Sequence, residues 1–305
     1  SEVMLWETFI MNVVSRLYFE ARMQEGDLSE DQVKESGLRK LLHNISLFKK
    51  SPLLVFVDFG TRRRWSFQWQ RTVLMKLIEK VPNQLAGTSN VHLSLEFGLK
   101  PIGTLAHELD MGLQGIFMEQ DSDHGYMYSH EQLKEKWFEL YGEELSIALS
   151  DTYGSTYFLR HFSPQAQAWK GTRHDSGCPF TYGERMIDYY EILEIDPKTK
   201  ALVFSDGLNV PLMIRLFQKF TGRILVGFGI GTNLTNDMGL EFLSEEYGVL
   251  KALSIVCKLV FSNGHFAVKL SDNPAKATGP KRPVERIMKL TGYNPEDHTF
   301  TKTLV

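Results

Sequence analysis

Cysteine is scarce in this sequence, and the two cysteines present, Cys178 and Cys257, lie far apart. Two distant cysteines cannot build a disulfide framework or a cysteine-based metal site. Such sparing use of cysteine is typical of proteins from a reducing compartment, so we expect a cytoplasmic location.

Strong charge of one sign and long apolar runs are also missing. The 305 residues include 37 acidic and 34 basic side chains, a formal net charge of −3. Without a basic field, a nucleic-acid partner is not expected. The apolar residues 53–57 and 224–230 are too few to span a bilayer, so no membrane partner is expected. Glu2 and Glu7 interrupt the first apolar stretch, which argues against a secretory signal.

The sequence does contain an alternation of strand-like and helix-like segments. Apolar spacing without Gly or Pro predicts a helix at residues 5–23, so close to the first residue that we expect a C-terminal segment of a longer protein. Strand-like runs such as 53–57 and 201–204 then alternate with helix-like segments such as 65–81 and 210–220. This order predicts an α/β fold with a parallel sheet, either a barrel or a doubly wound sheet.

Three smaller segments complete the predicted organisation. Residues 101–103 are read as a short strand-like piece, and the polar residues 119–129 as a loop. Residues 252–261 and 265–271 flank Ser262–Gly264, which predicts two strands joined as a hairpin.

Polar and small residues follow the predicted strands at seven places. Ligands of parallel α/β folds bind at the carboxyl ends of the strands, so these residues predict one shared polar pocket. Turn chemistry explains such residues at one or two strand ends, but less readily at all seven. The seven segments are residues 58–64, 87–90, 103–108, 150–152, 173–177, 205–207 and 227–232.

Each candidate site also has a purely structural explanation. Glycine at every second position in residues 227–232 suits a phosphate held by backbone N–H groups, or a tight turn. Arg173 and Asp175 suit a substrate carboxylate and a ribose or Mg²⁺, or form a structural salt bridge. Asp206 suits stabilisation of a developing positive charge, or N-caps the helix near Val210.

The same ambiguity applies to three further features. His107 is either a nucleophile that takes a phosphoryl group or an ordinary polar histidine. The basic run at residues 62–64 either recognises phosphate or carboxylate, or is a solvated loop. Phe59 either stacks on an aromatic ring or fills the core.

Seven motifs taken together resemble the nicotinate phosphoribosyltransferases, in that family's order and at matching separations. The resemblance covers most of the chain, about residues 3–276, and implies an irregular, incomplete α/β barrel of the type II phosphoribosyltransferase fold, working as a homodimer. The motifs are residues 58–64, 87–90, 103–108, 173–177, 203–206, 227–232 and 269–276.

The resemblance also implies roles for individual residues. His107 resembles the family's phosphorylated histidine, charged by the co-substrate ATP, and Asp175 and Asp206 resemble catalytic carboxylates on the ribose and diphosphate side. Nicotinate would be bound by Phe59, Thr88 and Arg173. Phe59 would stack on the pyridine ring, and Arg173 would bind the carboxylate. Mg²⁺ is implied as a cofactor, but its protein ligand stays unknown. The implied positions for phosphoribosyl diphosphate are Arg62, Ser176, Gly207, Gly229, Gly231 and Thr232.

The resemblance predicts three regions: a helical lead-in at residues 1–50 left from a junction with an N-terminal domain, a catalytic α/β barrel at 51–262, and a C-terminal strand and helix at 263–305 that return towards the N-terminal region. The family's N-terminal domain carries an Asp-x-Tyr-Lys motif whose tyrosine completes the pyridine sandwich. No such motif precedes Asp58. We therefore expect weak or no activity from this chain alone.

The function implied is formation of nicotinate mononucleotide from nicotinate and phosphoribosyl diphosphate, driven by ATP, in NAD salvage. One alternative is an enzyme specific for nicotinamide, which the uncharged Thr88, Ser89 and Asn90 disfavour. Another is a non-catalytic barrel fragment that needs its missing domain. A barrel lyase or aldolase is disfavoured because none of the seven strand-end segments contains a lysine.

Overall fold

The computed structural model describes residues 3–121, 123–239 and 252–294. The chain alternates between helices and strands over most of these residues, as the sequence predicts. The helices are α1 (Val3–Glu25), α2 (Glu30–Lys49), α3 (Phe67–Lys80), α4 (Val91–Phe97), α5 (His107–Gln120), α6 (Gly125–Tyr141), α7 (Ser155–Ala166), α8 (Pro179–Ile192), α9 (Val210–Phe220), α10 (Thr232–Thr235) and α11 (Lys281–Thr291). The strands are β1 (Phe56–Asp58), β2 (Leu85–Thr88), β3 (Ile147–Leu149), β4 (Gly171–His174), β5 (Ala201–Phe204), β6 (Leu225–Ile230), β7 (Phe261–Ser262) and β8 (His265–Phe266).

Six strands form one parallel sheet in the order β2-β1-β6-β5-β4-β3. Within the described residues β2 and β3 are its two edges, so the sheet does not close by strand pairing. The predicted α/β class and incomplete barrel are thereby confirmed. Because all six strands are parallel, the segments that follow them leave the same edge of the sheet.

Local sequence explains the best-defined elements. Helix α9 begins after Asn209, whose side chain accepts a hydrogen bond from the Leu212 amide, and has proline in its first turn. Its buried residues are Val210, Met213, Leu216 and Phe220, a spacing of three to four that places them on one face against the sheet. Full burial of such a side chain stabilises the fold by about 1.5–3 kcal/mol.

Three predictions of local structure need correction. Residues 101–103 form no strand, only an isolated bridge between Pro101 and Thr88. The loop predicted at 119–129 is shorter, because α6 already begins at Gly125. The hairpin lies where it was predicted, but β7 and β8 have two residues each, and residues 252–260 have no regular secondary structure.

Residues 267–271 connect the C-terminal part to the carboxyl edge of the sheet. The Val268 amide donates to the Gln114 side chain on α5 at 2.8 Å. The amides of Leu270 and Ser271 donate to the carbonyls of Thr152 and Asp151, after β3, at 2.7 and 3.0 Å. This segment therefore fixes the loop after β3 relative to α5. The proposed three-region division of the chain stays a prediction.

None of the helices within the described ranges has the length and apolar character needed to cross a membrane.

Candidate active site

His107, the first residue of α5, lies at the carboxyl edge of the sheet, beside the ends of β3 and β4. Its Nε2 is 2.7 Å from Oδ1 of Asp151, which follows β3, and 3.7 Å from Oδ2 of Asp175, which follows β4. The second oxygen of Asp151 accepts a hydrogen bond from the Ser176 hydroxyl at 2.7 Å and lies 3.1 Å from Nζ of Lys269. Asp151 therefore joins three segments of the chain that are distant in sequence.

Burial and neighbouring groups together set the protonation states of His107 and Asp151. Burial lowers the pKa of His107 below its ordinary value, against the opposing effect of the Asp151 carboxylate. Burial alone would raise the pKa of Asp151, but the charge of Lys269 and the hydrogen bonds from His107 and Ser176 hold it well below its ordinary range. The site at neutral pH is therefore a carboxylate beside a neutral imidazole, with one buried ammonium as counter-ion.

Asp175 and Arg173 form the neighbouring part of the site. Arg173 Nη2 lies 3.4 Å from Asp175 Oδ2, and its Nη1 donates to the carbonyl of Leu105 at 3.1 Å and to the Thr104 hydroxyl. Burial raises the pKa of Asp175, but Arg173 overrides this effect and the pKa falls to about 2. The structural ion pair between Arg173 and Asp175 is thus present. The hydrogen bonds to Thr104 and Leu105 fix Arg173 beside the loop that leads into His107.

The glycines after β6 pack against Phe59. A Cβ atom at Gly229 would lie 2.3 Å from Cδ2 of the Phe59 ring, and one at Gly231 would lie 3.1 Å from the Phe59 carbonyl oxygen. Only glycine allows these two segments to approach so closely. Thr232 follows at once, and its hydroxyl accepts a hydrogen bond from Nη1 of Arg63 at 3.3 Å.

The three arginines after β1 take different positions. Arg63 faces Thr232, and burial lowers its pKa to about 10, which leaves it protonated at neutral pH. Arg62, the position that the resemblance assigns to phosphoribosyl diphosphate, instead donates to Glu7 of α1 at 2.8 Å. Arg64 donates to the Gln70 side chain at 3.1 Å. The arginine nearest the glycine loop is thus Arg63.

Glu7 and Glu108 also share a cation, Lys258. Lys258 Nζ lies 2.5 Å from Glu108 Oε1 and 3.2 Å from Glu7 Oε1. All three side chains are at least 90% buried. Glu108 therefore connects α5 to α1 through a lysine and does not contact the imidazole next to it in sequence through any described hydrogen bond.

Thr88 lies in a second buried network beneath Phe59. Its hydroxyl donates to Asp58 Oδ2 at 2.7 Å and accepts from the Asn90 amide at 3.1 Å. Asp58 is completely buried, accepts further bonds from Gln70 and from the Gly60 amide at 2.7 Å each, and has a pKa raised by burial. The Thr88 hydroxyl thus helps to fix the strand end that carries Phe59.

Asp206 and Gly207 lie on the more open side of the site. Asp206 Oδ1 is 2.6 Å from Nζ of Lys276, and both side chains are partly exposed. Asn209, and not Asp206, caps helix α9, so the capping alternative is wrong. Gly207 is exposed with a φ of +60°, a conformation that favours glycine. The carboxylates of Asp175 and Asp206 raise the pKa of Arg63, against the larger lowering effect of burial.

Over the ranges that the structure describes, one group of side chains could hold a metal ion. Ligand atoms of His107, Asp151 and Asp175 all lie within 4.8 Å of one another. Mg²⁺ prefers oxygen ligands and retains waters, so the more open Asp175 suits it better than the buried pair of His107 and Asp151.

The sequence alone assigned no individual role to Asp151, Lys269 or Arg63. A signal existed for each: Asp151 is the carboxylate in the strand-end segment 150–152, Lys269 begins the motif at 269–276, and Arg63 is in the basic run. The sequence did not show that Lys269 pairs with Asp151 or that Arg63 pairs with Thr232.

Comparison with known proteins agrees with the geometry. The profile of the nicotinate phosphoribosyltransferase (NAPRTase) family matches residues 54–300. The nicotinate phosphoribosyltransferases of Vibrio campbellii and Vibrio parahaemolyticus are 44% and 43% identical to the chain over 283 residues, which are 90% of this chain in each case. The chain spans 62% of the length of these two curated relatives.

Solved structures show the same fold. A crystal structure of nicotinate phosphoribosyltransferase from Porphyromonas gingivalis superposes with a TM-score of 0.82 at 34% identity, over 95% of this chain and 71% of that one. The enzyme from Vibrio cholerae gives 0.82 at 36% identity, over 95% and 67% of the respective chains. The chain therefore belongs to the nicotinate phosphoribosyltransferase family.

Proposed function

We propose that this chain is the catalytic barrel of an enzyme that joins nicotinate to phosphoribosyl diphosphate, forming nicotinate mononucleotide and diphosphate for NAD salvage. ATP hydrolysis through a phosphorylated His107 drives the reaction. The observation that carries the proposal is the position of His107, buried on Asp151 and 3.7 Å from Asp175 at the carboxyl edge of the sheet. Family membership supports the same reaction.

His107 is suited to accept a phosphoryl group. In the tautomer whose Nε2–H donates to Asp151, Nδ1 carries the free lone pair and is the nucleophile. A bond forms between Nδ1 and the γ-phosphorus of ATP, and the bond to the β-phosphate oxygen breaks, releasing ADP. Asp151 then stabilises the positive charge that the phosphorylated ring acquires. Hydrolysis of the phosphohistidine returns the neutral imidazole and phosphate.

The transfer step depends on positioning. The pyridine nitrogen of nicotinate attacks the anomeric carbon of the ribose as diphosphate departs, and no general base is required because that nitrogen has a free lone pair. Positive charge develops on the sugar ring, where the carboxylates of Asp175 and Asp206 stabilise it. Arg63, Thr232 and the backbone of Gly231 suit the 5-phosphate of the substrate.

Asp175 would hold Mg²⁺ in this site, because the ion prefers oxygen ligands and the Asp175 carboxylate is partly exposed. When bound, the ion supplies positive charge that offsets the diphosphate of the substrate.

Specificity for the acid follows from Arg173 and Phe59. Nη1 of Arg173 bonds to Thr104 and Leu105, and its other nitrogen is 3.4 Å from Asp175, which leaves a fixed guanidinium to attract a carboxylate. Phe59, held in place by Gly229, offers a ring face to the pyridine. A nicotinamide-specific enzyme remains the alternative in this class.

A homodimer is also part of the proposal. Helix α1 exposes a stripe of apolar side chains, and contiguous apolar patches of this kind mark protein contacts. A second copy covering this stripe is one arrangement that would bury it. The exposed residues are Leu5, Trp6, Phe9, Ile10, Val13, Val14 and Leu17.

The test is steady-state product formation from nicotinate or nicotinamide with phosphoribosyl diphosphate, ATP and Mg²⁺. We expect nicotinate to be consumed, at a low rate for this chain alone and faster when the remaining part of the longer relatives is added. Preferential consumption of nicotinamide would overturn the specificity. The reaction would be wrong if neither base were consumed by the mixture and no acid-labile phosphate formed on His107.

A further inference from the structure

A second buried polar group lies directly behind His107. We call it the Asp110 cluster, and its side chains are each at most 3% exposed. Neither the phosphoryl-transfer step nor the sugar chemistry proposed above uses it. It comprises Asp110 and Gln114 on α5, Ser129 and His130 on α6, and Tyr153 after β3.

Asp110 is the centre of this cluster. Its Oδ2 lies 2.8 Å from Nδ1 of His130, and its Oδ1 accepts from the Ser129 hydroxyl at 3.0 Å and from the Tyr153 hydroxyl at 3.5 Å. Gln114 donates to the same Tyr153 oxygen at 3.1 Å. Because Asp110 accepts, His130 must donate from Nδ1, which leaves its Nε2 as an acceptor.

The cluster links the same two segments as the pair of His107 and Asp151. Asp110 is three residues after His107 on α5, and Tyr153 is two residues after Asp151. Two contacts therefore run side by side between the start of α5 and the loop after β3, one at 2.7 Å inside the site and one at 3.5 Å behind it. Gln114 also accepts from the Val268 amide, so the segment containing Lys269 is fixed by the same group.

A small cavity separates the cluster from the site. Leu105 and Ala106, just before His107, line it on one side, and Leu149 and Thr152, on either side of Asp151, line it on another. Asp110, His130 and Lys134 also line it, together with three further apolar side chains. Nε2 of His130 is buried and has no hydrogen-bond partner among the residues that the structure describes, while Lys134 Nζ donates to the His161 carbonyl at 2.9 Å. The cavity is therefore bordered by α5, α6 and the segment around Asp151, which are the elements that the Asp110 cluster joins.

We propose that Asp110 and His130 are positioning residues for His107. They hold the first turn of α5 against the loop after β3, so that the imidazole keeps Nε2 on Asp151 and presents Nδ1 for phosphorylation. The inference rests on the proposed phosphorylation of His107, but its geometric part concerns the His107–Asp151 contact alone.

Four variants separate a positioning role of the cluster from a simple loss of stability. Asp110→Asn removes the negative charge at the centre of the cluster, and His130→Leu removes the donor to Asp110 Oδ2. His130→Asn is the conservative variant, since its amide nitrogen takes the place of Nδ1. Gln84→Leu is the matched control, because Gln84 is 5% exposed and donates to three carbonyls next to the amino end of β2, at the opposite edge of the sheet.

Two measurements are made on each variant: the rate of acid-labile phosphorylation of His107 by ATP, and the imidazole ¹⁵N chemical shifts of His107, which report its tautomer. We expect Asp110→Asn and His130→Leu to lower the rate at least tenfold and to mix the two tautomers. His130→Asn stays within threefold of the parent. Gln84→Leu lowers the melting temperature but leaves the tautomer unchanged.

The positioning role is wrong if the His107 shifts of Asp110→Asn and His130→Leu match those of the parent. It is equally wrong if Gln84→Leu, at a similar loss of melting temperature, mixes the tautomers as much. If the parent itself takes no phosphate from ATP, the proposed function fails, and the chemical shifts still decide whether the cluster positions the ring.

Discussion

Lys269 Nζ lies 3.1 Å from Oδ2 of Asp151, and both side chains are more than 90% buried. A buried charge is tolerated when it is paired, and removal of one partner leaves the other uncompensated. Asp151 therefore has two tasks: it neutralises Lys269 and orients His107.

The substitution Asp151→Asn removes both tasks. We expect the free energy of unfolding to fall by about 3–5 kcal/mol because Lys269 loses its counter-ion. Phosphorylation of His107 falls about 100-fold or more because the imidazole loses the carboxylate that orients it. Denaturant unfolding and the rate of phosphohistidine formation measure the two effects.

The control for this prediction is the double variant Asp151→Asn, Lys269→Met. Removing the orphaned ammonium restores much of the stability but does not restore phosphorylation. Recovery of both properties in the double variant would show that Asp151 acts only as a counter-ion.

The substitution His107→Asn tests the coupling to ATP. Asparagine has no nucleophilic ring nitrogen, so the enzyme cannot form the phosphorylated intermediate. We expect mononucleotide formation to continue at a reduced rate that ATP no longer stimulates, and mass spectrometry to find no acid-labile phosphate at this position. Equal ATP stimulation of variant and parent would contradict the assignment.

The close contact of Gly229 with Phe59 gives a prediction with an internal control. The methyl group of Gly229→Ala would lie 2.3 Å from the Phe59 ring, so the ring must shift. In Gly227→Ala the nearest atom is a methyl of Val203 at 3.6 Å, an ordinary contact. We expect the first variant to raise KM for nicotinate about tenfold or more and the second to change it less than twofold. Similar KM values for the two would remove Phe59 from the nicotinate site.

The pH dependence follows from the lowered pKa of His107. Since burial shifts this pKa below the ordinary value of 6.5, the nucleophile stays neutral at pH 7, and the rate of phosphohistidine formation declines only below pH 6.5. In the same range the unfolded chain binds a proton that the folded chain does not, so this contribution to stability is present above pH 6.5 and is lost as the pH falls towards the folded pKa.

The variant His107→Asn isolates that contribution. Burial also lowers the pKa values of His130 and His174, but both histidines are present in parent and variant, so their contributions cancel in the comparison. We expect the stability of the parent to fall more steeply between pH 6.5 and 5 than that of the variant. A rate that already declines between pH 8 and 7 would show that the imidazole is not kept neutral by burial.

Sequence patterns located most elements of the fold, and for β5 and α9 they gave the bounds that the structure has, Ala201–Phe204 and Val210–Phe220. Both segments carry their signals locally, as a short apolar run and as an apolar face with a cap. Where the signal is weak the pattern failed: Gly125 begins α6 although glycine usually interrupts helices, and the predicted hairpin has only two residues in each strand.

The candidate site divides in the same way. His107, Asp175 and Ser176 lie in segments that the sequence analysis placed after predicted strands and that match family motifs, and in the structure they contact or adjoin Asp151. Arg62 was chosen from the basic run, yet it faces Glu7, while Arg63 faces Thr232. Neighbouring residues on a turn point in different directions, so a run of like residues does not reveal which of them enters the pocket.

The sequence by itself determined that the strands are parallel and that polar residues gather at one edge, since this follows from the βα alternation and from residues within a few positions of each strand. Only the tertiary structure decided which of those groups meet. Lys269 on Asp151, Lys276 on Asp206 and Lys258 on Glu108 each join segments distant along the chain. Such pairings depend on how the whole sheet twists and how its helices pack, which no local pattern of side chains specifies.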